Sequence, residues 1–433
     1  MPSFVQARQK VIEVAVAQHH NPAREMAYLA AHFASGASAS GASGAFAASQ
    51  SGANACGRVL AEGIAADRDY PPFDRSTRDG FAVRAADAAV PGVTLDRIGE
   101  IKAGGGFDRV VGPGECVQIM TGAAVPSGAD SVVMIEHVAV SGERVTLDRG
   151  AEFGKNIVRR GSEARAGQEL LTVGTRLGYA EMAVAAQVGR YCVGVWARPR
   201  IAILSTGDEV VDVTATPGPL QIRNGNGLAL ETLVALAGGE PVPLGNAPDE
   251  RGELRRRIER GLEADVLVLS GGVSMGKYDL VEAVLADLGA EIFFDAVEIR
   301  PGRPAVFGRC RGKLVFGLPG NPVSTMVTFE LFVVPAMDLL GGAAPRPVPL
   351  FGARLLHAVH ERGALTHFLP AEVTRTDSAG DPQVSTLAWQ GSGDTVAVAR
   401  ANAFLVVPAE KLDWDEGEWA MVLPRGGSCG GTF

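Results

Sequence analysis

From Arg200 to Leu340 the sequence alternates apolar runs of strand length with stretches of helix length, and this alternation restricts the fold more than any other feature. RIAILSTGDE reads as a buried strand running into a polar loop, followed by a helix over Gly227 to Ala237. Strand-like PVPLG at 241–245 leads to a helix from Glu250 to Leu262, and DVLVLS at 265–270 leads through a glycine loop to a helix from Tyr278 to Leu288. Two further strands, PAVFGR and KLVFGL, precede PGNP and a helix from Val323 to Leu340. The pattern predicts a mostly parallel α/β sheet with helices on both faces.

Outside this stretch the punctuation changes. A chain of 433 residues exceeds what one hydrophobic core holds, and its 55 glycines and 25 prolines imply short elements joined by many turns. Apolar positions at mixed three- and four-residue spacing over 5–33, among them Val11, Val14, Ala15, Tyr28 and Leu29, predict helix interrupted near Asn21-Pro22. Residues 34–54 are Ala, Ser or Gly at 18 of 21 positions, a composition with too little apolar surface to offset its ordering entropy, which reads as a flexible insertion. Short β-like stretches such as VVMIEHVAV and RVTL predict a small β-rich domain over 74–149. Residues 150–196, with helix-like YAEMAVAAQVG, are assigned with 1–73 to one discontinuous N-terminal domain. The α/β domain takes 197–343, and turn-punctuated 344–433 forms a C-terminal β domain.

The net charge of −9 argues against a surface devoted to nucleic-acid phosphates, so an anionic ligand has to be met locally. Five scattered cysteines without Cys-x-x-Cys spacing point to neither a disulfide framework nor a zinc site and fit a reducing cytoplasm. No apolar run or leader-like start predicts membrane insertion or export. His357 and His360 are three apart and His19 and His20 adjacent, but no third ligand is near, so they read as surface or packing residues. Trp389, Trp414 and Trp419 read as core aromatics.

In a parallel α/β sheet the ligand lies at the carboxyl ends of the strands. Three loops leave such ends. The first carries Ser205, Thr206, Gly207 and Asp208, the second Ser270, Gly271, Gly272, Val273 and Ser274, and the third Gly320, Asn321, Pro322 and Ser324. Glycine backbone N–H groups opening a helix suit phosphate, and Asn321 with Pro322 reads as an N-cap followed by a first-position proline. EIRPGRP holds Arg300 and Arg303 in a proline-stiffened turn that suits an oxyanion. Asp74, Asp79, Asp208, Glu209, Asp249 and Asp279 stand in loops or at helix starts. Acids beside an anion site point to Mg²⁺, with Asp208 and Asp279 as its ligands. The spacing of a P-loop and the GxGxxG of a dinucleotide fold are both missing.

PPFDRSTRDGFAV, IMTGAAVPSGADSVVMIE, STGDE, SGGVSMGKYD, IRPGRP, GLPGNPVS and QGSGD occur in that order from about Cys56 onward. The chain so resembles the molybdopterin molybdenumtransferases, the family that includes the catalytic domains of gephyrin and its plant counterpart. The resemblance implies a four-domain homodimer that inserts molybdenum from molybdate into adenylylated molybdopterin and releases AMP. It implies that Asp79 and Thr121 face the partner subunit's α/β domain, that Asp249 and Asp279 lie near the adenylylated phosphate, and that Glu181 is catalytic. Arg300, Arg303 and Ser392 fall where the family gathers donors for molybdate. The molybdopterin adenylyltransferase and recipient molybdoenzymes are the implied protein partners. This chain has Arg at two positions where the family commonly has Lys, Glu163 where Asp is frequent, and no arginine within two residues of Phe368. The alternatives are an adenylyltransferase, which shares the α/β domain but would not need the flanking ones, and a non-catalytic pterin-binding scaffold.

Overall fold

A strand can be apolar along its whole length only where both its faces are covered, and β1 (Arg200–Thr206) is buried at every position after its first. The computed structural model describes residues 1–18, 22–29, 55–272, 280–375 and 380–425, so the 34–54 insertion and residues 273–279 lie outside the described residues. After β1 come α2 (Gly225–Ala237), β2 (Glu240–Ala247), α3 (Arg251–Gly261), β3 (Val266–Ser270) and α4 (Leu280–Asp287). They are followed by β4 (Glu291–Phe294), β5 (Val306–Cys310), β6 (Lys313–Leu318) and the long helix α5 (Pro322–Leu340). With α1 (Phe4–Ala17) these build a sheet of order β2-β1-β3-β6-β5-β4. The β2/β1, β1/β3 and β3/β6 pairs are parallel, and β6/β5 and β5/β4 antiparallel.

Alternate side chains of each strand enter different cores, as a period of two requires. Ile201 and Ile203 of β1 and Val266 and Val268 of β3 meet α1, α2 and α5 on one face. Ala202, Leu204, Leu267 and Leu269 meet Leu254 and Ile258 of α3 and Val281, Val284 and Leu285 of α4 on the other. Helices thus cover both faces. The edge beyond β6 is antiparallel because Arg311 and Gly312, both with positive φ (48° and 76°), close a two-residue hairpin between β5 and β6.

Two expectations for the N-terminal segment fail. The helix α1, closed by a Ser3/Gln6 capping box, buries Ala7, Val11, Val14 and Ala15 in the α/β core, so residues 1–18 do not group with 150–196. Arg24–Tyr28 is a strand paired antiparallel with Cys192–Trp196, not helix. A partner far along the chain overrides the local three- and four-residue spacing there. The helix Tyr179–Gln187 packs beside that pair.

The strands Gly80–Val83, Thr94–Ile101, Glu115–Ile119, Ser131–Met134, Val138–Ser141 and Arg144–Leu147 form a separate six-stranded sheet. At the C-terminal end Phe351–Leu355, Thr366–Arg375, Pro382–Thr386, Ala403–Val407 and Trp419–Pro424 pair in a closed ring, a small β-barrel. Ile299–Arg300 adds to that ring by pairing parallel with Thr366 and His367, so the α/β segment reaches into the barrel.

The buried carboxylate of Asp338, near the end of α5, joins these parts. Arg176 Nη2 of the N-terminal module donates to Asp338 Oδ1 at 2.8 Å, and the Arg346 backbone N–H donates to Oδ2 at 2.9 Å. Arg346 Nη2 lies 2.8 Å from Oδ1 and donates to Ala237 O of α2 at 3.0 Å, while Arg176 Nη1 donates to Gly57 O at 3.0 Å. α5 is the one helix among the described residues long and apolar enough to cross a membrane, but most of it is buried inside the protein. Asp338→Ala removes the acceptor for both guanidiniums. Since both arginines are partly solvated, the expected loss is about 2–4 kcal/mol of unfolding free energy in denaturant titration, with Asp338→Asn losing less.

Candidate functional site

The carboxyl ends of β1, β3 and β6 open onto a cavity of about 610 Å³, as the switch-point rule expects. Ser205, Thr206, Ser270, Gly271 and Gly272 line it together with Gly320, Asn321 and Pro322 from the third loop. Gly271 and Gly272 have φ of +92° and +62°, and a Cβ on Gly272 would sit 2.8 Å from Thr206 Oγ1. The backbone of this loop therefore lies directly on the end of β1, where only glycine fits. Thr206 is 3% exposed and its Oγ1 has no hydrogen-bond partner, which leaves a polar atom at the cavity wall for a ligand.

Two residues that sequence reasoning passed over organise this cavity. Asn224 caps α2 by accepting from Gly227 N at 2.9 Å and also accepts from Ser205 Oγ at 3.0 Å. Asn226 Nδ2 reaches Gly320 O at 2.7 Å, Ser270 Oγ at 3.0 Å and Thr325 Oγ1 at 3.3 Å, so one amide ties the ends of β3 and β6 to α5. The signal is RNGNGL, where asparagines and glycines stand at the start of an apolar helix; the apolar spacing predicts that helix from Gly227, and it begins at Gly225. Val210, Ile222 and Arg223, from a two-stranded parallel pairing at 210–223, close the outer wall.

The third loop departs from expectation. Pro322 opens α5 as anticipated, but Asn321 makes no side-chain cap. Its Nδ2 donates instead to Ser392 Oγ at 2.7 Å, and Ser392 O accepts from Val323 N at 3.0 Å. A loop of the C-terminal barrel thus occupies a first-turn N–H of α5 and brings Gly393 and Thr395 to the cavity. Ser324 is 3% exposed and does not line it.

At the ends of β1 and β2, Asp208 Oδ1 accepts from Asp249 N at 3.0 Å. Burial, and then the nearby Asp208 and Glu209 charges, push the Asp249 carboxyl above its ordinary range. Gly207 stays in this loop, its carbonyl accepting from Asn246 Nδ2 at 3.0 Å. No group of three or more potential metal ligands occurs among the described residues. Val273, Ser274 and Asp279 lie outside the described residues.

Other expected residues stand apart from the cavity. Thr121 donates to Asp79 Oδ1 through its backbone N–H at 2.6 Å and its hydroxyl at 2.9 Å, which holds the Asp79 carboxyl below its ordinary range. Both lie in loops beside strands Gly80–Val83 and Glu115–Ile119 of the small β sheet. Glu181 Oε2 accepts from Gly178 N at 2.9 Å and so closes the first turn of Tyr179–Gln187, a structural use that accounts for it. Arg300 and Arg303 make no side-chain hydrogen bond or ion pair among the described residues. Arg300 lines a second cavity, of about 310 Å³, on the barrel side of the 391–393 loop.

Three family models match the chain in order. They are described as the MoeA N-terminal region (domain I and II) at residues 29–189, a probable molybdopterin binding domain at 202–338, and the MoeA C-terminal region (domain IV) at 352–424. A molybdopterin molybdenumtransferase of Nostoc sp. is 35% identical over 378 residues, covering 85% of this chain and 86% of the relative. The enzyme of the same name from Bacillus subtilis is 35% identical over 376 residues, covering 84% and 87%. The chain belongs to the molybdopterin molybdenumtransferase family. Crystal structures of molybdopterin biosynthesis moeA protein from Pyrococcus horikoshii superpose with TM-scores of 0.69 at 31% identity and 0.75 at 26%. The first covers 99% of each chain, the second 98% of this chain and 100% of its own. In this molybdenumtransferase-family chain the cavity therefore lies in the segment matching the molybdopterin-binding model, with a wall from the C-terminal region.

Asn226→Ala should loosen the β3 and β6 ends without unfolding the sheet. A loss of about tenfold in pterin affinity by fluorescence titration, with near wild-type denaturation, is the expected result. Unchanged affinity would remove Asn226 from the site.

Proposed function

We propose that the chain catalyses insertion of molybdenum from molybdate into adenylylated molybdopterin, with release of AMP. The observation that carries this reading is the cavity at the ends of β1, β3 and β6, built on the molybdopterin-binding segment and closed by a loop of the C-terminal barrel. An adenylyltransferase needs only the α/β unit, yet the family match extends over the N-terminal and C-terminal regions as well. A non-catalytic scaffold gives no reason for a Thr206 hydroxyl without a hydrogen-bond partner among the described residues at the cavity wall.

In this reading the Gly271–Gly272 backbone and Thr206 receive phosphate oxygens of the substrate, and the Asn226 bridge holds those groups in register. Arg300 and Arg303 meet molybdate, with Ser392 positioning the loop between the two cavities. Catalysis is then mainly orientation and stabilisation of negative charge. Asp208 and Asp249 suit a Mg²⁺ held by one or two carboxylates plus phosphate oxygens, since burial first and the neighbouring acid charges second raise Asp249, and a cation offsets both. Asp279 completes that ligand set in the proposal. Bound Mg²⁺ would neutralise charge on the phosphates.

The Asp79–Thr121 pair makes no hydrogen bond to the α/β unit among the described residues, which supports a role across a homodimer, facing the partner's cavity. The proposal places the enzyme in the cytoplasm, receiving pterin from the adenylyltransferase and delivering cofactor to recipient molybdoenzymes.

The test is AMP release from adenylylated molybdopterin by the purified protein with Mg²⁺, with and without molybdate, alongside activation of a cofactor-free molybdoenzyme. Molybdate-dependent release with activation is expected, and tight pterin binding without turnover would overturn the reading. Arg303→Gln should raise the molybdate KM by about tenfold while pterin Kd stays within about twofold. Equal loss of both would remove Arg303 from the oxyanion site.

A further inference from the structure

The second cavity holds a side chain that no part of the proposed reaction uses. Arg300, Glu361, His367, Trp389, Gln390 and Gly391 line a space of about 310 Å³ between the Ile299–Arg300 strand and the barrel. His367 is 1% exposed, and its Nε2 meets no hydrogen-bond partner. A buried polar atom left unpaired costs about 1–3 kcal/mol, so its retention in a cavity wall asks for a ligand. On the other side of the ring, Nδ1 lies 2.9 Å from Glu361 Oε2. That carboxylate stabilises the protonated ring by its charge at ion-pair distance, while neither ring nitrogen has a hydrogen bond among the described residues and Nε2 has no charged neighbour of its own. Arg300 sits opposite His367 in strand register, and its guanidinium has no ion pair among the described residues.

We propose that this cavity binds a tetrahedral oxyanion between the Arg300 guanidinium and the His367 imidazole, and that His367 takes up a proton from solvent as the anion enters. The inference rests on the reading of Arg300 as an oxyanion donor. One bond forms, Nε2–H, and one breaks, the O–H of hydronium or the acid bond of the buffer molecule that gives up the proton, leaving water or the conjugate base in solvent. The charged groups facing the ring are Arg300 from the adjoining strand and Glu361 from the segment before its own strand, while Val407, paired on its other side, brings no charge. With the cavity empty, burial and the Arg300 charge outweigh Glu361 and hold the imidazole below its ordinary range, so the ring is neutral at pH 7. A dianion beside it reverses the balance, and the protonated ring becomes a second charged donor. Anion affinity therefore falls as pH rises, by at most about tenfold per unit where the empty ring is neutral and the occupied ring charged.

The test is calorimetric titration of sodium molybdate into the full chain at pH 7 in two buffers of different ionisation enthalpy, repeated at pH 6 and 8. Wild type is expected to take up roughly one proton per anion and to bind more weakly at pH 8 than at pH 6. His367→Gln, which keeps a polar side chain, should abolish the uptake, flatten the pH dependence and weaken binding about tenfold. If that variant does not fold, the wild-type proton count decides by itself. Molybdate binding without proton uptake, or uptake that persists in His367→Gln, overturns the proposal. Molybdate-dependent AMP release in the absence of proton linkage would overturn this inference and leave the insertion reaction standing. Proton-linked molybdate binding without AMP release would support the inference and overturn the reaction.

Discussion

The buried carboxylate of Asp338 fixes how the modules meet. Its side chain is fully buried, and a charge in that position is tolerated only because two guanidiniums and a backbone N–H surround it. Arg176 comes from the N-terminal module, far along the chain, and Arg346 from the connection to the barrel just after α5, so one acid ties both to the helix. Arg8 adds α1 to the same junction, donating to Leu331 O at 3.1 Å and to Arg346 O. Asp338 stands near one end of α5, while Pro322 at the other end lines the main cavity. A helix of 19 residues is about 28 Å long, so anchoring at Asp338 is carried as a rigid element to the site.

The site is built where strand ends, glycines and side-chain amides converge. Parallel strands bring β1, β3 and β6 to one edge, glycines let the second loop lie against Thr206, and Asn226 holds that loop to the third. The barrel then closes the arrangement by pairing Ser392 with Asn321 and Val323. That contact divides the approach into two cavities, one wide and lined by phosphate-type donors, the other small and flanked by Arg300 and His367.

Apart from the exposed edge strand Glu291–Phe294, the order of the main strands and helices from Arg200 to Leu340 was legible in the sequence because strands buried on both faces must be apolar throughout and their helices amphipathic. The strand-end loops were legible for the same reason, since glycines, Asn and Pro are confined to positions where backbone geometry demands them. Asn224 and Asn226 lie just before the helix expected from Gly227, where local spacing gives them no partner. Only their reach to Ser205, Ser270 and Gly320, far along the chain, gives them a further role.

The sequence by itself determined the α/β core, the turn-rich flanking β modules and the family to which the motifs belong, all of which follow from local period and residue type. The tertiary structure decided where α1 packs, that Arg24–Tyr28 is a strand, and that Ser392 covers α5. It also decided that His367 is buried beside Arg300 and Glu361. These depend on partners dozens to hundreds of residues away or on burial. The free energy of such contacts comes from desolvation and shape, neither of which local spacing encodes.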